Sequence, residues 1–158
     1  MKIKMSYMCA ISLMTALCCT FWAVISVAVG LSSWIGFAGC TTYFAILTTG
    51  CKGLPCVKKS IFCNLLGVAC AMLAIYLGSF IPILDKFGLT TALISFIMLM
   101  LSQHKLFNYS PGIFIGCFST FAANADLKAI IPALIVGVFL GFICDITGNW
   151  FYSKISKK

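Results

Sequence analysis

Ser33–Ala45, SWIGFAGCTTYFA, returns seventy-seven positions later as Ser110–Ala122, SPGIFIGCFSTFA. Ser33/Ser110, Phe37/Phe114, Gly39/Gly116, Cys40/Cys117, Phe44/Phe121 and Ala45/Ala122 are identical, and Thr42 stands opposite Ser119. Steps of four, three and four residues put Ser33, Phe37, Cys40 and Phe44 on one helical face, and Ser110, Phe114, Cys117 and Phe121 likewise. Two weaker matches extend the repeat. Cys51-Lys52-Gly53-Leu54 resembles Leu127-Lys128-Ala129-Ile130, and Leu66-Gly67 with Cys70 resembles Leu140-Gly141 with Cys144.

The rest of the chain says where such a repeat lives. Of 158 residues, 62% are hydrophobic and 9% charged. A soluble domain is roughly half apolar and about a quarter charged, so this composition excludes a water-wetted surface. Apolar segments at Met8–Gly30, Leu31–Gly50, Ser60–Ile81, Phe87–Ser102, Tyr109–Asp126 and Leu127–Phe151 predict about six transmembrane helices. A span needs about 20 residues for a ~30 Å hydrocarbon core. The fold class is therefore all-α and polytopic, one transmembrane domain over 1–158 with halves of about 1–81 and 82–158. Lys2 and Lys4 precede an apolar run longer than the roughly 7–15 residues of a signal-peptide core, which predicts a retained first helix.

All eleven basic residues are lysine against three aspartates, a net charge of +8. In a chain this apolar, the excess reports orientation rather than nucleic-acid binding. Six crossings with both termini in the cytoplasm put Lys2, Lys4, Lys52, Lys58, Lys59, Lys105, Lys154, Lys157 and Lys158 inside. Only Lys86 and Lys128 are then outside. Treating the two repeated segments as re-entrant loops spreads the lysines almost evenly, so full crossings are favoured. Three crossings per half is an odd number, which turns the second half upside down and yields a 3+3 inverted repeat.

Small residues recur at four-residue steps: Ser32, Gly36 and Cys40, then Gly112 and Gly116, then Gly137 and Gly141. Such steps let helix backbones approach closely in lipid. The repeated face reads either as a packing seam or as a narrow pathway bounded by phenylalanines and hydroxyl residues. On that second reading Ser33, Phe37, Gly39, Cys40, Thr42, Phe44, Ser110, Phe114, Gly116, Cys117, Ser119 and Phe121 are the candidate site. Thr41, Thr120 and Asn124 add neutral hydrogen-bonding groups, although a hydroxyl within a helix readily bonds back to its own backbone.

Asp145 is the one carboxylate set inside a span. Burying it charged is costly, so it calls for a partner or water. It is either a proton or cation site, or a headgroup-depth carboxylate bonded near Thr147 and Asn149 or to a lysine. Cys51 and Cys56 are placed in the basic Lys52–Lys59 loop, too few for a structural zinc site. The other cysteines act as small, soft apolar residues, and His104 beside Gln103 and Lys105 reads as a solvated loop residue. No phosphate loop, nucleophile elbow, HExxH helix or paired carboxylate occurs. The chain is expected to be no enzyme and to need no cofactor or metal.

Leu31–Ala45 (LSSWIGFAGCTTYFA), Cys51–Leu54 (CKGL), and SPGIFIGCFSTFA with the following LKAIIPAL and GVFLGF resemble the YcdZ-like family of small bacterial inner-membrane proteins. The resemblance covers nearly the whole chain. It implies a bacterial inner-membrane protein of about this size, a domain of unknown function (DUF1097), and transfers no activity, substrate or site. The expected function is passage of a small, uncharged or weakly polar solute. The alternative is a non-transporting subunit that docks through the Gly112/Gly116 or Gly137/Gly141 seams. The expected partners are the lipid bilayer, a small-molecule solute and further copies of the chain in a homo-oligomer, with no nucleic acid.

Overall fold

A computed structural model describes residues 6–86 and 88–156, apart from the side chains of Leu84 and Asp85. Lys2, Lys4, Phe87, Lys157 and Lys158 therefore lie outside the described residues. The elements are all helical: α1 Tyr7–Val29, α2 Ser33–Leu47, α3 Leu54–Phe80, the single turn α4 Pro82–Lys86, α5 Leu89–Leu101, α6 Ser110–Ala122 and α7 Leu127–Ser156. Three of them, α1, α3 and α7, are long and apolar enough to cross a membrane, with mean hydropathy of 2.1, 2.1 and 2.5. The other three long elements have 15, 13 and 13 residues. At 1.5 Å per residue these reach only about 20 Å.

Local sequence explains the boundaries. Gly30 ends α1 in the left-handed region at φ 72°, a conformation free of strain for glycine. Pro55 sits in the first turn of α3, where its missing N–H has no helical partner to lose. That early start corrects the expected Lys52–Lys59 loop. Cys56, Lys58 and Lys59 belong to α3, and Cys56 is fully buried. Asp126 precedes α7 and accepts the Lys128 N–H at 3.1 Å.

The packing partners are crossed between the two halves of the chain. α7 carries α1 and α2, while α6 lies along α3. Direct contact between α2 and α6 is smaller. α1 runs antiparallel to α7: Tyr7 packs edge-on to Tyr152 at 5.2 Å, and Cys18 Sγ lies 3.9 Å from Thr147 Oγ1 further along. α2 runs parallel to α7, with Gly36 at Gly137 and Tyr43 at Asp145. α6 runs parallel to α3, with Gly112 at Cys63 and Cys117 at Gly67.

The outside of this bundle is apolar. Phe21, Val24, Val27, Trp34 and Phe80 are among its most exposed side chains, a surface that suits hydrocarbon rather than water. Inside, one cluster joins Tyr43, Ile46, Val57, Cys63, Ile94, Met98, Ile113 and Val138. A second joins Ile35, Val68, Ile130, Ala133 and Leu134. The ten cysteines are free thiols, six of them buried.

Candidate functional site

Glycines set the closest helix approaches. A Cβ on Gly39 would overlap the Leu134 carbonyl oxygen of α7, and one on Gly116 would overlap the Asn64 carbonyl oxygen of α3. Gly137 meets the Gly36 carbonyl oxygen, and Gly67 meets that of Ile113. Gly39 and Gly116 are matched residues of the repeat, as are Gly36 and Ile113. The contacts therefore pair Asn64 with Leu134 and Gly67 with Gly137, both seventy positions apart. That register corrects the weaker sequence match, which set Gly67 opposite Gly141.

The matched helices also bury the same face. On α2 it is Ile35, Gly36, Gly39, Cys40, Thr42, Tyr43 and Ile46. On α6 it is Gly112, Ile113, Gly116, Cys117, Ser119 and Thr120. Of the candidate residues, Gly39, Cys40, Thr42, Gly116, Cys117 and Ser119 are thus brought inside. The phenylalanines flank them. Phe37 and Phe44 are partly buried, with Phe44 edge-on to Tyr43 at 6.0 Å. Phe114 and Phe121 are exposed and line, with Ile94, Met98 and Cys117, a groove of about 220 Å³ between α5 and α6. Ser33 meets α1: its carbonyl accepts Trp22 Nε1–H at 3.1 Å, and its hydroxyl bonds Ser26. Ser110 opens α6 without forming a side-chain cap.

These same contacts remove the surface on which a docking role rested. Gly112, Gly116 and Gly137 are buried against α3 and α2, and Gly141 lies against Tyr43 and Cys40. The chain's own helices occupy both glycine seams, because each short helix finds its partner in the opposite half.

Polar groups gather in two places. Between α2 and α3, Thr42 Oγ1 lies 2.9 Å from Asn64 Oδ1. Asn64 is neither ionisable nor part of the recurring pattern, so it lies outside the candidate residues of the sequence. Its signal was nonetheless present: a lone carboxamide between Cys63 and Leu65 inside an apolar span. Of the hydroxyls, Thr41 bonds to Phe37 O at 2.8 Å and Thr120 to Gly116 O at 2.9 Å, the local back-bonding expected of them. Asn124 is exposed in the α6–α7 connection.

The second place is the far end of α7. Asp145 Oδ2 accepts the Tyr43 hydroxyl at 2.9 Å, and Oδ1 accepts Asn149 Nδ2–H at 2.7 Å. Asn149 Oδ1 accepts the Tyr7 hydroxyl at 3.1 Å. Neutral donors from α2 and α7 thus satisfy the carboxylate, and α1 joins through Asn149. No ion pair with a lysine occurs among the described residues. Thr147 instead bonds back to Ile143 O at 2.7 Å. Cys56 Sγ lies 3.6 Å from Tyr43 O, placing it beneath this network. Lys154 Nζ stands 4.3 Å over the Trp150 ring, the cation-and-aromatic arrangement of a headgroup-level belt. His104 is exposed, its Nδ1 accepting Leu106 N–H at 3.3 Å.

Comparison with known proteins places the chain. The model of a family described as Protein of unknown function (DUF1097) matches residues 12–149. Among curated proteins, the Inner membrane protein YcdZ of Escherichia coli (strain K12) is 34% identical, covering 97% of this chain and 93% of that protein. The Inner membrane protein YcdZ of Salmonella typhimurium (strain LT2) is 32% identical, covering 95% of this chain and 92% of that protein. No solved structure matches.

Proposed function

The chain belongs to the DUF1097 family, and from that premise we propose that it is a multi-pass protein of the bacterial inner membrane that passes a small, uncharged solute between two oppositely oriented halves. Relatives that carry the inner-membrane name over nearly their whole length support the location. In this reading the six long helices all cross, and both termini face the cytoplasm. The antiparallel course of α1 and α2 and the nine-to-two division of lysines are in keeping with it.

One observation carries the transport reading: the reciprocal glycine contacts. Gly39 and Gly137 of the α2–α7 pair are matched by Gly116 and Gly67 of the α6–α3 pair. Two interlocked halves of opposite orientation, each lending its middle helix to the other, form the kind of frame in which solute sites lie near the midplane. A structural seam alone explains close packing but not why it is duplicated in the same register. The buried polar side chains are neutral among the described residues, which suits an uncharged solute, since an ion there would lack compensation.

Purified protein reconstituted into liposomes tests this. Flux of small neutral solutes above that of protein-free vesicles is the expected outcome. No flux across a panel of solutes and ions at several pH values sinks the reading.

A further inference from the structure

Buried polar side chains among the described residues are Ser26, Thr42, Ser60, Asn64, Thr90, Ser119 and Thr120. Several simply return a hydrogen bond to their own helix, as Ser60 does to Cys56 O at 2.8 Å. Asn64 differs. It is the carboxamide of the group and is 1% exposed. Thr42 Oγ1 lies 2.9 Å from Asn64 Oδ1 and 3.1 Å from Ala38 O, yet a hydroxyl has one proton to give. If that proton goes to Asn64, the amide nitrogen Nδ2 has no partner. If it goes to Ala38, the amide turns its N–H toward Thr42 and leaves its oxygen bare. Either way, one end of a buried amide is unpaired inside an apolar bundle, where such a group is costly.

Packing does not explain the amide. The glycine contacts put Leu134 in the corresponding seat of the other half: Gly39 backs onto Leu134 O as Gly116 backs onto Asn64 O. Leu134 is likewise 1% exposed. That seat accepts an aliphatic side chain with nothing to satisfy, and hydrocarbon favours leucine over asparagine there.

We propose that Asn64, with Thr42 beside it, is the recognition point for the solute, a neutral molecule of a few heavy atoms at most that hydrogen-bonds to the free end of the amide. This rests on the transport reading above. α6 limits the size: a Cβ on Gly112 would stand 3.0 Å from both Thr42 Cγ2 and Cys63 Cβ, so the helix packs closely against the pair and leaves a large molecule no place there. Charge is excluded because no ionised side chain is buried there to meet it.

The decisive variant is Asn64→Leu, which copies the residue already accommodated at position 134. In liposomes, its flux of water, glycerol or urea should fall at least about tenfold, the loss of a hydrogen bond made in passage. Its unfolding temperature should equal or exceed that of the native chain. Native flux in the variant, or a lower unfolding temperature, overturns the assignment. A readout free of transport is the NMR signal of the 15N-labelled Asn64 side-chain amide, identified by its loss in the same variant. A cross-peak to water, or a shift on adding glycerol or urea, is expected; neither appearing overturns the site. If the amide is occupied but no solute crosses, transport fails and the site stands. If solutes cross equally well without the amide, the site fails and transport stands.

Discussion

The Tyr43 hydroxyl donates to Asp145 Oδ2 at 2.9 Å across 102 positions of sequence, tying the end of α2 to α7. The half-buried carboxylate is thereby met by a neutral donor, in a chain rich in lysine. The other half has no counterpart. By the registers of the glycine contacts, Thr120 stands where Tyr43 does and Ile75 where Asp145 does. Thr120 spends its hydroxyl on its own helix. The two ends of the junction are therefore held differently, one by a polar tie and the other by packing.

Removing that tie should destabilise the fold modestly. Tyr43→Phe is expected to cost about 1–2 kcal/mol, the range for a hydrogen bond to a charged acceptor reduced for partial exposure. Asp145→Asn retains an acceptor for Tyr43 and should cost less. Thermal unfolding in detergent orders the two variants, and a Tyr43→Phe protein as stable as the native chain would show the bond to be idle.

Gly39→Ala and Gly116→Ala should each disturb assembly of the bundle, and the leucine variants should do so more severely. In both cases the added carbon meets a backbone carbonyl of the facing helix, and a backbone cannot swing aside as a side chain can. Overpacking of this kind costs roughly 1–3 kcal/mol or more. Gly50 offers a contrast, since a Cβ there meets open space and only its φ of +87° resists substitution. Monodispersity on size exclusion reports the outcome, and normal behaviour of both alanine variants would break the account of the crossing.

Orientation has its own test. Lys52, Lys105 and Asp126 are all exposed, so a cysteine placed at any of them is reachable from whichever side it faces. With native thiols removed, an impermeant reagent added outside should label Asp126→Cys and spare Lys52→Cys and Lys105→Cys. The reverse pattern would invert the topology, and labelling of all three would end the six-crossing scheme.

Much of the fold can be read in the chain because composition and repetition act at every residue. Apolar runs give six long helices, and the Gly39/Gly116 match anticipates two equivalent backbone approaches. What periodicity could not supply was the choice of partner. Both buried faces mix glycine, cysteine, isoleucine and hydroxyl residues, so nothing local says that α2 seeks α7 and α6 seeks α3. Lysines at 58 and 59 mask the start of α3, whose first turn holds Pro55, so the sequence alone sets Cys56 in a loop. The phenylalanines were drawn toward the interior by sharing a face with Cys40 and Cys117, whereas the glycines one step round the helix decide which side is pressed inward. Asn64 lies outside the matched residues, although Leu66, Gly67 and Cys70 beside it belong to one of the weaker matches. The counterpart of Asn64 in the glycine contacts is Leu134, and that contrast becomes visible only in the packing of the helices.

Stopped-flow measurement of solute entry into liposomes carrying the purified protein tests the central claim most directly. The account predicts entry of small neutral solutes faster than in protein-free vesicles, with no accompanying ion conductance. Neutral-solute rates equal to those of empty vesicles, or a current carried by ions, would contradict it.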